Sequence, residues 1–279
     1  MGLPDSSSTE QDDPLEIDTA VAHPARRYNY WLGGTQNFEA DRISGDAVAA
    51  VLPSIRTGVM ENRRFLRRAV TYVTAEAGIR QFLDIGTGIP AADNVHEVAQ
   101  RIAPDTRVVY MDNDPIVLAH AHQLLLTSET GATAYIHADL REPDTIFGHP
   151  DLRATLDLSR PVALMLIAVL HFIVDADDPY GCLARLVERL PPGSYVAISH
   201  ATADFLPPEL GNDIIQRANT GSRDQAQWRD RAAFAQFFNG MELIPPGIES
   251  ISDWRSELPP GKRPSAADAL HYGAVARIP

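Results

Sequence analysis

The run Phe82-Leu83-Asp84-Ile85-Gly86-Thr87-Gly88-Ile89-Pro90 sets a carboxylate at the exit of an apolar strand, with two glycines just behind it. Glycines at such a place permit a tight turn and close approach of backbone to a ligand. The N–H groups at the start of the following helix are then expected to hold an anion. With Ala91 in third position the run satisfies G-x-G-x-x-A, the dinucleotide form, so a nicotinamide cofactor is one reading. Two residues oppose it. Asp84 would repel a pyrophosphate and suits a ligand carrying an ammonium or a sulfonium. Pro90 removes one backbone N–H from the cradle.

Two more acids close apolar runs downstream. In Val108-Val109-Tyr110-Met111-Asp112-Asn113-Asp114-Pro115, the Asp114-Pro115 pair reads as a helix N-cap with proline in the first turn, which leaves Asp112 available. A carboxylate there can accept hydrogen bonds from both hydroxyls of a ribose. Asp139, after Tyr135-Ile136-His137, offers an acceptor to an adenine amino group or pairs with Arg141. His171 and His200 each follow an apolar strand and are the candidate general bases, since imidazole can take a proton from a hydroxyl or amine near neutral pH. His120 and His122 stand two apart on an expected helix and face different ways, so no metal site is expected.

Such residues need a frame. Strands are expected over residues 81–85, 107–112, 134–137, 162–168, 195–200, 241–244 and 271–278, with helices over 91–102, 115–126, 181–190, 209–218 and 229–238. Alternating strand and helix at this spacing implies a doubly wound, mostly parallel α/β sheet covered on both faces, with ligands at the strand carboxyl ends. The loop before the last strand, rich in Pro and Gly, allows that final pair to be antiparallel. Upstream, 41–51 and 58–77 read as helices. Leu66, Ala69, Val70 and Val73 form an apolar face that Asn62 continues, and a polar group there requires a partner. Arg64, Arg67 and Arg68 are expected on other faces.

The formal net charge of −13 and a pI near 5.0 argue against nucleic-acid binding, which needs clustered cations. The single cysteine, Cys182, forms no internal disulfide and fits a reducing cytoplasm. Nothing cationic flanks it in the reading of the sequence, and it is expected to be a small buried hydrophobe. The longest apolar run, 162–174, is too short to span a membrane, which takes about 20 residues.

One segment has a pattern of its own: Ala25-Arg26-Arg27-Tyr28-Asn29-Tyr30-Trp31-Leu32-Gly33-Gly34-Thr35-Gln36-Asn37-Phe38-Glu39-Ala40-Asp41-Arg42. Together with Asn62-Arg63-x-Phe65-Leu66-x-Arg68-Ala69-Val70, Asp112-Asn113-Asp114-Pro115 and Ser199-His200-Ala201-Thr202, it resembles an actinobacterial S-adenosyl methyltransferase family long labelled only as of unknown function. The three strand-ending acids resemble the class I methyltransferase superfamily. Trp31 and Gln36 depart from the expected aliphatic and polar or acidic residues. The resemblance implies a Rossmann-like, seven-stranded, mostly parallel sheet and S-adenosyl-L-methionine as cofactor, with S-adenosyl-L-homocysteine as product. Residues 1–22, polar and acidic, read as a disordered tail, followed by a helical extension or lid over 23–78 and a cofactor-binding domain over 79–279. By position, Asp84, Gly86, Thr87 and Gly88 would surround the methionine part. Asp112 would take the ribose, Asn113 would lie beside the adenine, and Asp139 and Leu140 would hold its edge. Ala168 would sit near the sulfonium. A lid of Arg26, Tyr30, Gly34 and Asn37 would exclude water, with Arg26 or Arg63 gripping the cofactor carboxylate. The acceptor is expected to be a small molecule, and a cofactor-binding regulator without catalysis is the remaining reading.

Overall fold

In β1 (Gln81–Ile85) and β2 (Arg107–Asp112), successive residues belong to two different apolar layers. Phe82, Val108 and Tyr110 pack in one, Leu83, Ile85, Val109 and Met111 in the other. Strands apolar on both faces must be covered on both, and helices do this on each side. The computed structural model describes residues 17–120 and 128–279.

The order along the chain is α1 (Pro24–Trp31), α2 (Glu39–Val51), α3 (Ile55–Ala75), β1, α4 (Val95–Ile102), β2, α5 (Pro115–His120) and β3 (Ala132–His137). Then follow α6 (Pro143–Gly148), α7 (Pro150–Thr155), β4 (Ala163–Ile167), α8 (Pro179–Val187), β5 (Tyr195–Ala201), α9 (Pro208–Asn219) and α10 (Arg231–Gln236). β6 (Glu242–Leu243), β7 (Glu249–Ser250), α11 (Ala266–Ala269) and β8 (His271–Arg277) complete it. The strands form one sheet in the order β3-β2-β1-β4-β5-β8-β6, with β7 also on β8. β1 to β5 are parallel; β8 runs antiparallel to β5, β6 and β7. The expected architecture is therefore present, with the short β7 added. The part of the helix expected over 115–126 that lies beyond His120, with His122, falls outside the described residues, as do residues 1–16 of the expected tail. Residues 17–22 do not behave as tail: Ala22 is buried and pairs with Ser222, and Arg223 N donates to Ala22 O at 2.9 Å.

α3 is longer than expected and forms the spine of one layer. Phe65, Leu66, Ala69, Val70 and Val73 bury against the sheet and Trp254. Arg68 turns inward, contrary to expectation, and donates to Trp254 O and Ile251 O, tying the chain after β7 to the helix. Cys182 is buried as expected, but Arg185, one helical turn on, donates to its Sγ at 3.2 Å. Among the described residues no helix is long and apolar enough to cross a membrane.

Asn62 finds the partners its position demands. Its Oδ1 accepts from Ser199 Oγ at 2.6 Å and its Nδ2 donates to Tyr28 Oη at 3.1 Å. Tyr28 Oη in turn donates to Val59 O, and Ser199 Oγ accepts from Ala168 N at 3.0 Å. The chain of bonds links α1, α3 and β5 to the turn after β4. Asn62→Leu takes one of two hydrogen bonds from each of the Ser199 and Tyr28 hydroxyls in a buried site, so a stability loss of about 2–3 kcal/mol is expected in urea unfolding. A loss within experimental error would show the network to be incidental.

Candidate functional site

All five parallel strands end at one edge, and a cavity of about 210 Å³ lies across it. Its wall takes Asp84 to Ile89 from the β1 turn, Met111 to Asn113 from the end of β2, Ala138 to Arg141 after β3, and Ile167 to Val169 after β4. From above it is closed by Ala25, Arg27, Tyr28 and Trp31 of α1, Val48 of α2, Ile55, Val59, Asn62, Arg63 and Leu66 of α3, and Ile214 and Ala218 of α9.

Both loop glycines adopt positive φ, +71° at Gly86 and +67° at Gly88, the left-handed region that favours glycine. The helix expected at Ala91 starts only at Val95, capped by Asn94, whose own N–H is satisfied by Glu97. Between lies a loop held by Arg63, whose Nη2 donates to Ala92 O at 2.8 Å and Asp93 O at 2.9 Å. The helix N–H groups are thus not presented directly behind the glycines, and the phosphate cradle of the dinucleotide reading is not built. Thr87 Oγ1 donates back to Asp84 O at 3.0 Å and tightens the turn.

Asp84 is 5% exposed, lines the cavity and accepts no hydrogen bond from any described group. Burial, only partly offset by Arg63 and reinforced by Asp112, pushes its carboxyl up to about 7. A buried carboxylate without a partner fits a ligand that supplies a cation. Asp112 is engaged rather than free: its Oδ2 accepts from Gly88 N at 2.7 Å and its Oδ1 from Asp114 N at 3.0 Å. Each carboxylate oxygen has a second lone-pair site, so both hydroxyls of a ribose can still be accepted. Asp114 caps α5 as expected, accepting from Ile116 N, and its Oδ2 lies 2.8 Å from His23 Nδ1 at the start of α1. Asp139 pairs with Arg141 through Nε at 2.9 Å and Nη2 at 2.5 Å. Asn113 Nδ2 approaches Asp139 at 3.5 Å, and Leu140 stands beside it in the wall. Ala168 holds a φ of +57°, rare for a residue with a side chain, fixed by the Ser199 bonds to its N–H. Strain of this kind concentrates where function needs it.

The histidines divide. His171 is in the wall; Ala201 N approaches its Nδ1 at 3.5 Å, and burial with four neighbouring cationic or imidazole groups keeps it neutral, well below the usual range. His200 is not in the wall. It is fully buried, donates from Nδ1 to Ala201 O and accepts at Nε2 from Arg229 at 3.1 Å, so its lone pair is spent. His271, at the start of β8, lines the cavity in its place. His271 Nδ1 donates to Ala269 O at 2.9 Å, and burial holds it neutral, down to about 4. In that tautomer Nε2 is a bare acceptor.

Four expected lid contacts lie outside the cavity wall. Arg26 is turned into the structure, donating to Asp18 O and Val21 O beside Asp41 and Asp114. Tyr30 donates to Asp46 on the outer side of α1. Gly34 packs on Asn29, and Asn37 Nδ2 donates to Asn29 Oδ1 and Gly34 O, so these close the loop after α1 on itself. α1 offers Arg27, Tyr28 and Trp31 to the cavity instead.

Residues 10–279 match the profile of a family described as S-adenosyl methyltransferase. The fold superposes on a DUF574 family protein from Streptomyces avermitilis MA-4680 with a TM-score of 0.91, at 45% identity over 95% of this chain and 100% of that one. A putative methyltransferase from Thermobifida fusca YX gives 0.86, at 35% identity over 94% and 96% of the two chains. Magnesium protoporphyrin IX methyltransferase from Synechocystis, with S-adenosylhomocysteine bound, gives 0.50 at 13% identity over 90% and 91%, a likeness of fold alone. Among curated proteins nothing matches. The acids at the ends of three parallel strands and the family match agree: the chain belongs to the S-adenosyl methyltransferase family, with the class I fold and S-adenosyl-L-methionine as its cofactor.

Proposed function

We propose that this protein transfers the methyl group of S-adenosylmethionine to a small molecule held in the same cavity. The observation that carries this reading is continuity. One cavity runs from the strand-ending acids Asp84, Asp112 and Asp139 into a chamber closed by α1, α2, α3 and α9. A chamber closed on that side suits an acceptor small enough to be enclosed, and enclosure excludes the water that would otherwise compete. The cofactor supplies an activated methyl on a sulfonium. Asp84 takes the ammonium of its methionine part, Asp112 the ribose hydroxyls, Asn113 and Asp139 with Leu140 the adenine edge, and Gly86 to Gly88 pass close beneath. Arg63, forked onto the loop carbonyls, keeps Nη1 for the cofactor carboxylate. Ala168 and Val169 border the methyl, and alignment of acceptor and methyl provides much of the rate.

Calorimetry tests the cofactor half. S-adenosylhomocysteine is expected to bind and NAD not, and Asp112→Ala is expected to cost about 1–3 kcal/mol of that binding. Unchanged affinity in the variant would remove Asp112 from the site. For the acceptor half, methyl-labelled cofactor is incubated with cell extract divided by ultrafiltration. Label confined to the macromolecular fraction would refute a small acceptor.

A further inference from the structure

The chamber beyond the acids has a composition of its own. Arg27 lines it at 2% exposure, yet no described carboxylate comes within ion-pair distance of its guanidinium. Its Nη1 donates to Ser44 Oγ at 3.1 Å and Ala218 O at 2.5 Å; its Nε is buried without a partner, and its Nη2 donates to no described group. Buried guanidinium groups are ordinarily paired, because an uncompensated charge in a dry site is costly. Desolvation drags this one down to about 10, against the more distant charges of Asp41 and Asp224, neither in ion-pair contact with it. His171 and His271 line the same chamber, and the bare Nε2 of His271 accepts from no described group. Trp31, Phe172 and Trp228 complete the wall, the two indoles keeping part of their surface open.

We infer that the acceptor is an aromatic hydroxy acid, its carboxylate on Arg27, its hydroxyl donating to His271 Nε2 and its ring between the indoles of Trp31 and Trp228. Each group of the ligand answers a group that the protein leaves open. The carboxylate neutralises the unpaired guanidinium. A donor is needed at His271 because its tautomer presents only a lone pair. The flat rings suit an aromatic face. Held so, the hydroxyl oxygen has its proton engaged and a lone pair left to point elsewhere.

This deepens the reading proposed above and rests on it, so the test separates the two. The full chain is saturated with S-adenosylhomocysteine, and binding of that product is recorded first. The quenching of tryptophan fluorescence is then followed with 2-, 3- and 4-hydroxybenzoate, benzoate, phenol and tyramine. The best hydroxybenzoate is expected to bind about tenfold or more tightly than phenol, as for a charge-assisted pair, and tighter than benzoate, with tyramine weakest. Arg27→Met removes the advantage over phenol, while Arg27→Lys retains part of it. His271→Phe removes the advantage over benzoate. Equal binding of hydroxybenzoate and phenol, a preference for tyramine, or no binding of any hydroxybenzoate at about 10 mM overturns the inference, and the unmodified protein alone can give each of these results. Should S-adenosylhomocysteine itself fail to bind, the cofactor assignment falls instead.

Discussion

Asp84→Asn is expected to make the ligand-free protein more stable and its cofactor site nearly useless. The carboxyl is 5% exposed and has no described partner, and burial pushes it from its ordinary 3.8 up to about 7. Below about pH 4 it is protonated in both the folded and the unfolded chain and costs nothing. Between about 4 and 7 the unfolded chain ionises it and the folded chain does not, so stability falls as pH rises. Above 7 the full penalty is in place. About three pH units at roughly 1.4 kcal/mol each set a ceiling near 4 kcal/mol, so a gain of about 2–4 kcal/mol is expected for the variant at pH 8. The asparagine does not titrate, so the gap between the two proteins should widen from pH 5 to pH 8 in urea unfolding. Other titrating groups are common to both and cancel in that difference. A variant no more stable than the parent at pH 8 would contradict a strained, ionised Asp84.

The same group then ties stability to binding. An ammonium brought beside Asp84 favours its charged form, so affinity for S-adenosylhomocysteine in the unmodified protein should rise with pH through about 7. Near pH 6 binding should release a proton, visible as a buffer-dependent heat in calorimetry. The variant should lose both the affinity, by about 30-fold or more for a charge-assisted bond in a buried site, and the pH dependence. Stability withheld from the free protein is in this way recovered when the ligand arrives.

What the sequence made legible follows from how each feature is built. Acids that end apolar runs are visible without a structure, because a charge closing a buried strand has few other places to be. Asp84, Asp112 and Asp139 are legible in this way, and all three line the cavity. Asn62 was visible as a polar interruption of an apolar helix face, and its need for partners was met by Ser199 and Tyr28. His200 and His271 show what was not legible. β5 is apolar on both faces, so its pattern carries no sign of which face looks into the site. Ser199 turns to α3, and His200 turns the other way, among Phe234 and Phe237. His271 opens a strand, which in a parallel sheet would put it at the far edge. β8 is antiparallel, pairing His271 with Ala201, so its first residue arrives where the parallel strands end. The antiparallel pairing was anticipated; its consequence for His271 was not. α1 is not legible in the sequence for another reason. Its buried residues are Arg26 and Arg27, so it has no apolar stripe to announce it.

Gly86→Ala is expected to be far more damaging than Gly88→Ala, although the two glycines share a loop and nearly the same backbone angle. Forcing a side chain into the left-handed region costs about 1–2 kcal/mol at either position. At Gly88 the added Cβ would meet only Ala25 Cβ at 4.0 Å, so that cost is the whole of it. At Gly86 it would fall 2.4 Å from Val169 Cγ2 and 2.7 Å from Val169 Cβ, and something must move. Rotating the valine does not relieve the contact with its Cβ. Its backbone cannot retreat cheaply, because Ala168 just before it is held at positive φ by Ser199 and hence by Asn62. The glycine turn is equally fixed, with Gly86 N on Met111 O at 2.8 Å. A loss of about 3–5 kcal/mol is therefore expected for Gly86→Ala, with overpacking added to backbone strain. Because Gly86 separates Asp84 from Gly88, displacement of the turn should also abolish S-adenosylhomocysteine binding. The contact is checked by adding Val169→Ala. A coupling of about 1–2 kcal/mol between the two substitutions is expected where side chains compete for one space. Equal losses for the two glycine variants, or additive effects in the pair, would show that the left-handed backbone alone limits this loop and that Val169 does not press upon it.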